Sequence, residues 1–107
     1  MPITRKPTKK KTNKLTHPGK VLEKKIGDHN LTVYKLSKEI KIDASLLSKI
    51  IKGNRPISPL VSLALGKFFA VDEAYWITLQ VQYDLGITKL KKDVLIHSIQ
   101  SVKAVHV

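Results

Sequence analysis

Between positions 44 and 55 the side chains form a graded set. Ala44 and Ser45 are short, Ser48 and Lys49 can hydrogen-bond, and Lys52, Asn54 and Arg55 follow with amide and cationic groups. The chemistry open to such a set is recognition. Short side chains let a helix sink into a major groove, an ammonium can donate to a guanine edge, and further cations neutralise phosphates. Covalent chemistry has no comparable support. The histidines His17, His29, His97 and His106 are scattered, and none stands four residues from another. Without cysteine there is no disulfide framework and no thiolate metal site. No phosphate-binding glycine loop and no nucleophile–histidine–carboxylate set stands out. The sequence therefore predicts no catalytic residues, no metal and no cofactor, and it argues against an enzyme.

Two short helices must position the recognition set. The first is expected over residues 32–40, with Thr32 as its cap and Leu36 and Ile40 on one face. The second is expected over residues 44–52. Asp43 stands where an N-cap oxygen accepts a backbone N–H, and Gly53 stands where a helix ends in a left-handed residue. Leu47 and Ile50 then face inward, which turns Ala44, Ser45, Ser48, Lys49 and Lys52 outward. Ala44, Ser45 and Lys49 are the expected base readers. Ser48, Lys52, Asn54 and Arg55 are expected on the phosphate backbone, joined by Thr32 and Val33 at the start of the preceding helix.

The flanking chain supplies the scaffold. His17-Pro18-Gly19 opens a helix that runs to about Gly27, with Val21, Leu22 and Ile26 inward. A structural role is expected for His17, since it lacks a partner carboxylate or histidine nearby in sequence. Ser58 and Pro59 start another helix, apolar nearly all round through Leu60, Val61, Leu63, Leu65, Phe68 and Phe69, which predicts burial on several sides. Asp72 is expected to cap a helix over residues 73–85. Two apolar stripes run along it: Trp76, Leu79 and Tyr83 on one side, Ala74, Ile77 and Val81 on the other. One stripe serves the core; the other is an expected homodimer interface, unless a larger intramolecular core claims it. Gly86 is expected to interrupt this helix. Residues 87–107 form a C-terminal extension, read as a helix over 88–102, although the β-branched residues from Val94 onward also suit a strand.

The totals fit one small all-α domain. At 107 residues, 42% of them apolar, there is enough material for one compact core. No apolar run is long enough to span a membrane and no secretory signal opens the chain, so a cytoplasmic protein without a membrane partner is expected. The charge of +12 favours a polyanionic partner. Half of it lies in the first 17 residues, where Arg5, Lys6, Lys9, Lys10, Lys11 and Lys14 meet no acid. Residues 1–16 are read as a basic, disordered arm that either tracks phosphates or solubilises the chain.

Five segments carry a family resemblance. Residues 31–36 (LTVYKL), 42–50 (IDASLLSKI) and 52–57 (KGNRPI) resemble the helix-turn-helix of the lambda-repressor-like, or Xre, class. His17-Pro18-Gly19 and residues 72–85 (DEAYWITLQVQYDL) are similar to the HigA-type antitoxins, also called virulence-associated protein I. The resemblance covers residues 17–86. It implies a lambda-repressor-like five-helix DNA-binding domain that acts as a homodimer on double-stranded operator DNA and represses its own operon. It also implies a HigB-type toxin as partner, a ribonuclease that cleaves messenger RNA on the ribosome. Lys41 departs from the pattern, since it occupies the turn position that is usually glycine in the family.

Two other classes compete with this reading. A stand-alone helix-turn-helix regulator would look the same, and a small basic ribonuclease-like gene next door would distinguish the antitoxin from it. A basic RNA-binding protein fits the charge. Readers of single-stranded RNA usually display aromatic stacking platforms, however, whereas Tyr34, Tyr75, Trp76 and Tyr83 fall within helices, mostly on expected packing faces.

Overall fold

Side-chain oxygens and one imidazole nitrogen start four helices of this chain. In the computed structural model, which describes residues 15–102, these are α1 (Pro18–Asp28), α2 (Val33–Ile40), α3 (Ala44–Ile51) and α4 (Pro59–Phe69); α5 (Tyr75–Lys91) and α6 (Asp93–Ser98) follow. Thr32 Oγ1 accepts from the Lys35 N–H at 3.0 Å, Asp43 Oδ2 from Leu46 at 3.3 Å and Ser58 Oγ from Val61 at 3.3 Å. Each satisfies a donor that a helix start leaves open, worth about 1 kcal/mol. These are the caps expected from the sequence.

The same four helices share one way of ending. Asn30, Lys41, Gly53 and Ala70 all take positive φ. The residue after each donates its N–H to a carbonyl five residues back: Leu31 to Ile26, Ile42 to Ser37, Asn54 to Lys49 and Val71 to Gly66. This is the Schellman closure, which ties off the last carbonyls and turns the chain sharply. Glycine adopts the required backbone freely, but only Gly53 is one. Lys41 takes the left-handed conformation at φ 58°, ψ 41°, which costs a non-glycine residue about 1 kcal/mol.

One core unites the domain. Leu22 and Ile26 of α1, Leu36 of α2, Leu47 and Ile50 of α3, Val61 and Leu65 of α4 and Trp76 of α5 are buried together with Ile42 and Ile57 from the turns. Close approach of α1 to α3 depends on Gly19, where a Cβ would overlap the Ile50 carbonyl. The α4–α5 pair is pinned by Ser62, whose hydroxyl donates to Glu73 O at 2.6 Å and accepts from the Ile77 N–H at 3.0 Å.

Four expectations need correction. First, α4 is not buried all round: Val61, Ser62, Leu65 and Gly66 face inward, but Leu60 and Leu63 stand exposed. Second, α5 begins at Tyr75, because the Asp72 carboxylate closes a preceding turn by accepting from the Ala74 N–H at 2.7 Å. Third, Gly86 does not interrupt α5, which runs on to Lys91. A helical glycine costs about 1 kcal/mol, too little to break a long packed helix. A Cβ there would lie 2.6 Å from Leu15 Cδ2, so the missing side chain seats Leu15 against α5. Fourth, the helix read over 88–102 is divided: its first turn belongs to α5, and the separate α6 ends at Ser98 with none of its residues buried. The arm over residues 1–14 lies outside the described residues.

His17 takes the structural role expected of it. Its Nδ1 accepts from the Gly19 N–H at 2.9 Å and so caps α1, while its ring meets Tyr83 edge-on at 5.0 Å. Burial holds the imidazole below its ordinary value of 6.5, against the opposing pull of the Asp84 carboxylate. Protonation would destroy the acceptor. Because the folded state binds this proton less readily than the unfolded chain, the contribution is complete above the ordinary value and is lost as pH falls through the depressed one. Melting temperature should therefore fall more between pH 7.5 and pH 5 (about the span that matters) for the wild type than for His17→Asn, which retains a capping oxygen. Parallel melting curves would assign the acid sensitivity to other groups.

Candidate nucleic-acid interface

The candidate interface comprises α3 and the turns at either end of it. Leu47 and Ile50 are fully buried, and they anchor α3 on α1 and α2. Their burial fixes the rotation of the helix. Ser45, Lys49 and Lys52 are exposed on the opposite side, with Ala44 and Ser48 half-buried at its edges. Asn54 and Arg55 are exposed in the loop that leaves the helix. Among the described residues, no ion pair occupies Lys49, Lys52 or Arg55. Their charges remain available to an incoming anion.

The start of α2 contributes differently from its side chains alone. Thr32 is exposed, and its Oγ1 lone pair is engaged by Lys35, which leaves the hydroxyl hydrogen able to donate. The Val33 side chain packs against the core. What Val33 can offer a phosphate is its backbone N–H in the first turn, where helix geometry leaves amides without partners. Of the four aromatic residues expected mostly on packing faces, Tyr34 and Tyr75 are exposed, and the Lys38 ammonium lies 5.2 Å from the Tyr34 ring.

On α5 the two stripes separate as their spacing predicts. Trp76 is fully buried, and Leu79 and Tyr83 are half-buried beneath it along the helix. Ala74 and Val81 are exposed and Ile77 is half-buried beside α4. Leu85, Leu90, Val94 and Leu95 are exposed as well.

Sequence reasoning missed Gln80. It is 4% exposed, and its Oε1 accepts from the Ile57 N–H at 2.8 Å, across 23 positions of chain. Its Nε2 donates to Asp84 Oδ1 at 3.0 Å. The signal was present: Gln80 stands four residues after Trp76, on the inward face. Among the described residues no group of three potential metal ligands converges. Nor is any helix among them long and apolar enough to cross a membrane.

Comparisons with known proteins agree with this geometry. No protein-family model matches the chain. It is 29% identical over 77 residues to virulence-associated protein I of Dichelobacter nodosus, covering 71% of each. An addiction-module antidote protein of the HigA family from Coxiella burnetii superposes with a TM-score of 0.78 at 27% identity, over 82% of this chain and 97% of that one. A Pseudomonas aeruginosa protein solved in complex with its operator DNA superposes with a TM-score of 0.77 at 25% identity, over 81% of this chain and 94% of that one. With its helix-turn-helix and the Tyr75-Trp76 to Asp84-Leu85 segment on α5 in the arrangement described above, the chain is similar in sequence and fold to HigA-type antitoxins.

Proposed function

We propose that this protein binds double-stranded operator DNA as a homodimer, represses its own operon and neutralises a HigB-type ribonuclease toxin. The outer face of α3 carries the DNA half of this reading: short residues at its N-terminal end and unpaired cations beyond them. The similar Pseudomonas protein was solved on its operator DNA, which supports the same use of the fold here. The toxin half rests on the HigA family and its antidote members. Ala44, Ser45 and Lys49 read bases. Thr32, Val33, Ser48, Lys52, Asn54 and Arg55 hold the backbone. Residues 1–16 are assigned to a basic arm that tracks phosphates or solubilises the chain, although Leu15 packs beside Gly86 of α5, with 17–86 the DNA-binding domain and 87–107 an extension. The protein acts in the cytoplasm, without enzymatic activity of its own.

Lys49 provides the direct test. If its ammonium donates to a guanine edge, Lys49→Ala loses roughly 1 to 3 kcal/mol on the operator and much less on random DNA. Fluorescence anisotropy with both duplexes measures the difference. Equal losses on the two would move Lys49 to the phosphate-binding set and leave base reading to its neighbours.

A further inference from the structure

The loop that carries Asn54 and Arg55 has little core of its own. Residues 52 to 56 are all exposed, and the chain is held at the two ends. At one end Gly53 closes α3, with its N–H on Ile50 O at 2.9 Å and its absent Cβ position 3.8 Å from the His17 ring. At the other end the Ile57 N–H, buried, finds its acceptor in Gln80 of α5. Asp84, one turn further along α5, holds the Gln80 amide in the orientation that presents oxygen to Ile57. An amide side chain can donate or accept at this site, and the Asp84 acceptor selects between the two faces.

We propose that Gln80, oriented by Asp84, is a positioning residue for DNA binding: a strut from α5 that holds the loop of Asn54 and Arg55 at the height of α3. The inference rests on the DNA-binding reading above and adds to it a device within α5. The same helix bears exposed Val81 on its outer side, with exposed Ala74 at its N-cap. A strut on its inner side makes α5 a physical link between whatever occupies that outer side and the phosphate contacts. Both surfaces belong to one rigid element, so a displacement of α5 is passed to the Ile57 amide through a single hydrogen bond.

The strut acts by preorganisation. Without it, the loop loses its ordering before DNA arrives, and DNA must supply that ordering on binding. Fixing the backbone of even one residue corresponds to roughly a tenfold factor in affinity. The effect should fall on operator and random DNA alike, because the loop is assigned to phosphates and not to bases.

Three full-length proteins test this: wild type, Gln80→Met, and the double variant Gln80→Glu with Asp84→Asn. The methionine keeps the volume but cannot accept from Ile57. In the double variant the donor and acceptor are exchanged: position 84 donates, position 80 accepts, and net charge is preserved. Amide exchange followed by NMR should show the Ile57 amide opening in Gln80→Met while those of Leu22 and Leu36 stay protected. DNA binding should weaken roughly tenfold, and the double variant should restore both protection and affinity. Wild-type affinity in Gln80→Met would overturn the strut. So would a folded double variant that protects Ile57 yet binds weakly, an outcome that remains decisive even if Gln80→Met fails to fold. Absence of binding by the wild type itself would instead defeat the DNA reading.

Discussion

Raising salt from about 50 to 200 mM should weaken operator binding by roughly a thousandfold. Each phosphate neutralised by a cation releases bound counterions and adds about −0.9 to the slope of log affinity against log salt. Lys52 and Arg55 are exposed and unpaired in ion bridges, and a dimer presents each twice, for about four phosphates. The bases of the N-terminal arm bring the total to about six or more. Deleting residues 1–14 removes all six of those bases. The shortened protein should then lose only roughly a hundredfold over the same salt range. Anisotropy titrations at four salt concentrations (roughly evenly spaced in log salt) give both slopes. Affinity that barely responds to salt would defeat the phosphate assignment of Lys52 and Arg55. An unchanged slope after deletion would make the arm a solubilising tail.

Much of the scaffold under this candidate interface was legible because it follows from local rules. Thr32, Asp43 and Ser58 are residues whose side chains replace missing helix carbonyls, and each does so. The rotation of α3 follows from Leu47 and Ile50, three residues apart and both buried. Once that rotation is set, the outward position of Ser45 and Lys49 is a matter of geometry. The burial of Trp76 in α5 followed from the same periodicity.

The failures have a common origin in contacts between distant parts of the chain. Gly86 reads as a breaker by local propensity, but a packed helix overrides a penalty of about 1 kcal/mol, and Leu15 uses the space. Gln80 resembles a surface residue until Ile57 supplies a buried amide that needs an acceptor. Leu60 and Leu63 look like core, because hydrophobicity alone does not reveal which side of a helix has a neighbour. The division at Lys92 likewise escapes sequence reading: α6 starts there without a side-chain cap and buries nothing.

Asp at both Ile77 and Val81 should convert the protein to folded monomers and weaken operator binding by roughly a thousandfold. One recognition helix covers few base pairs, and two held about 34 Å apart are needed to read a long site. In a twofold contact through the outer stripe of α5, each substitution appears twice, so the two changes place four carboxylates together in an apolar patch. Val81 is 49% exposed, which makes its replacement harmless to an isolated domain. Ile77 is half-buried, but the bond it makes to Ser62 uses its backbone N–H, which aspartate retains. Trp76, Leu79 and Tyr83 still hold the inner side of the helix. Light scattering reads the mass, and circular dichroism reads the fold. Val81→Asp alone serves as the milder control. If the double variant unfolds while Val81→Asp stays folded and dimeric, Ile77 belongs to the core and the outer-stripe interface fails. A double variant that remains dimeric would move the contact elsewhere, with exposed Leu60 and Leu63 of α4 the next apolar face to substitute. A folded monomer that binds a single half-site weakly, with the salt slope halved, is the outcome that a twofold contact through α5 requires.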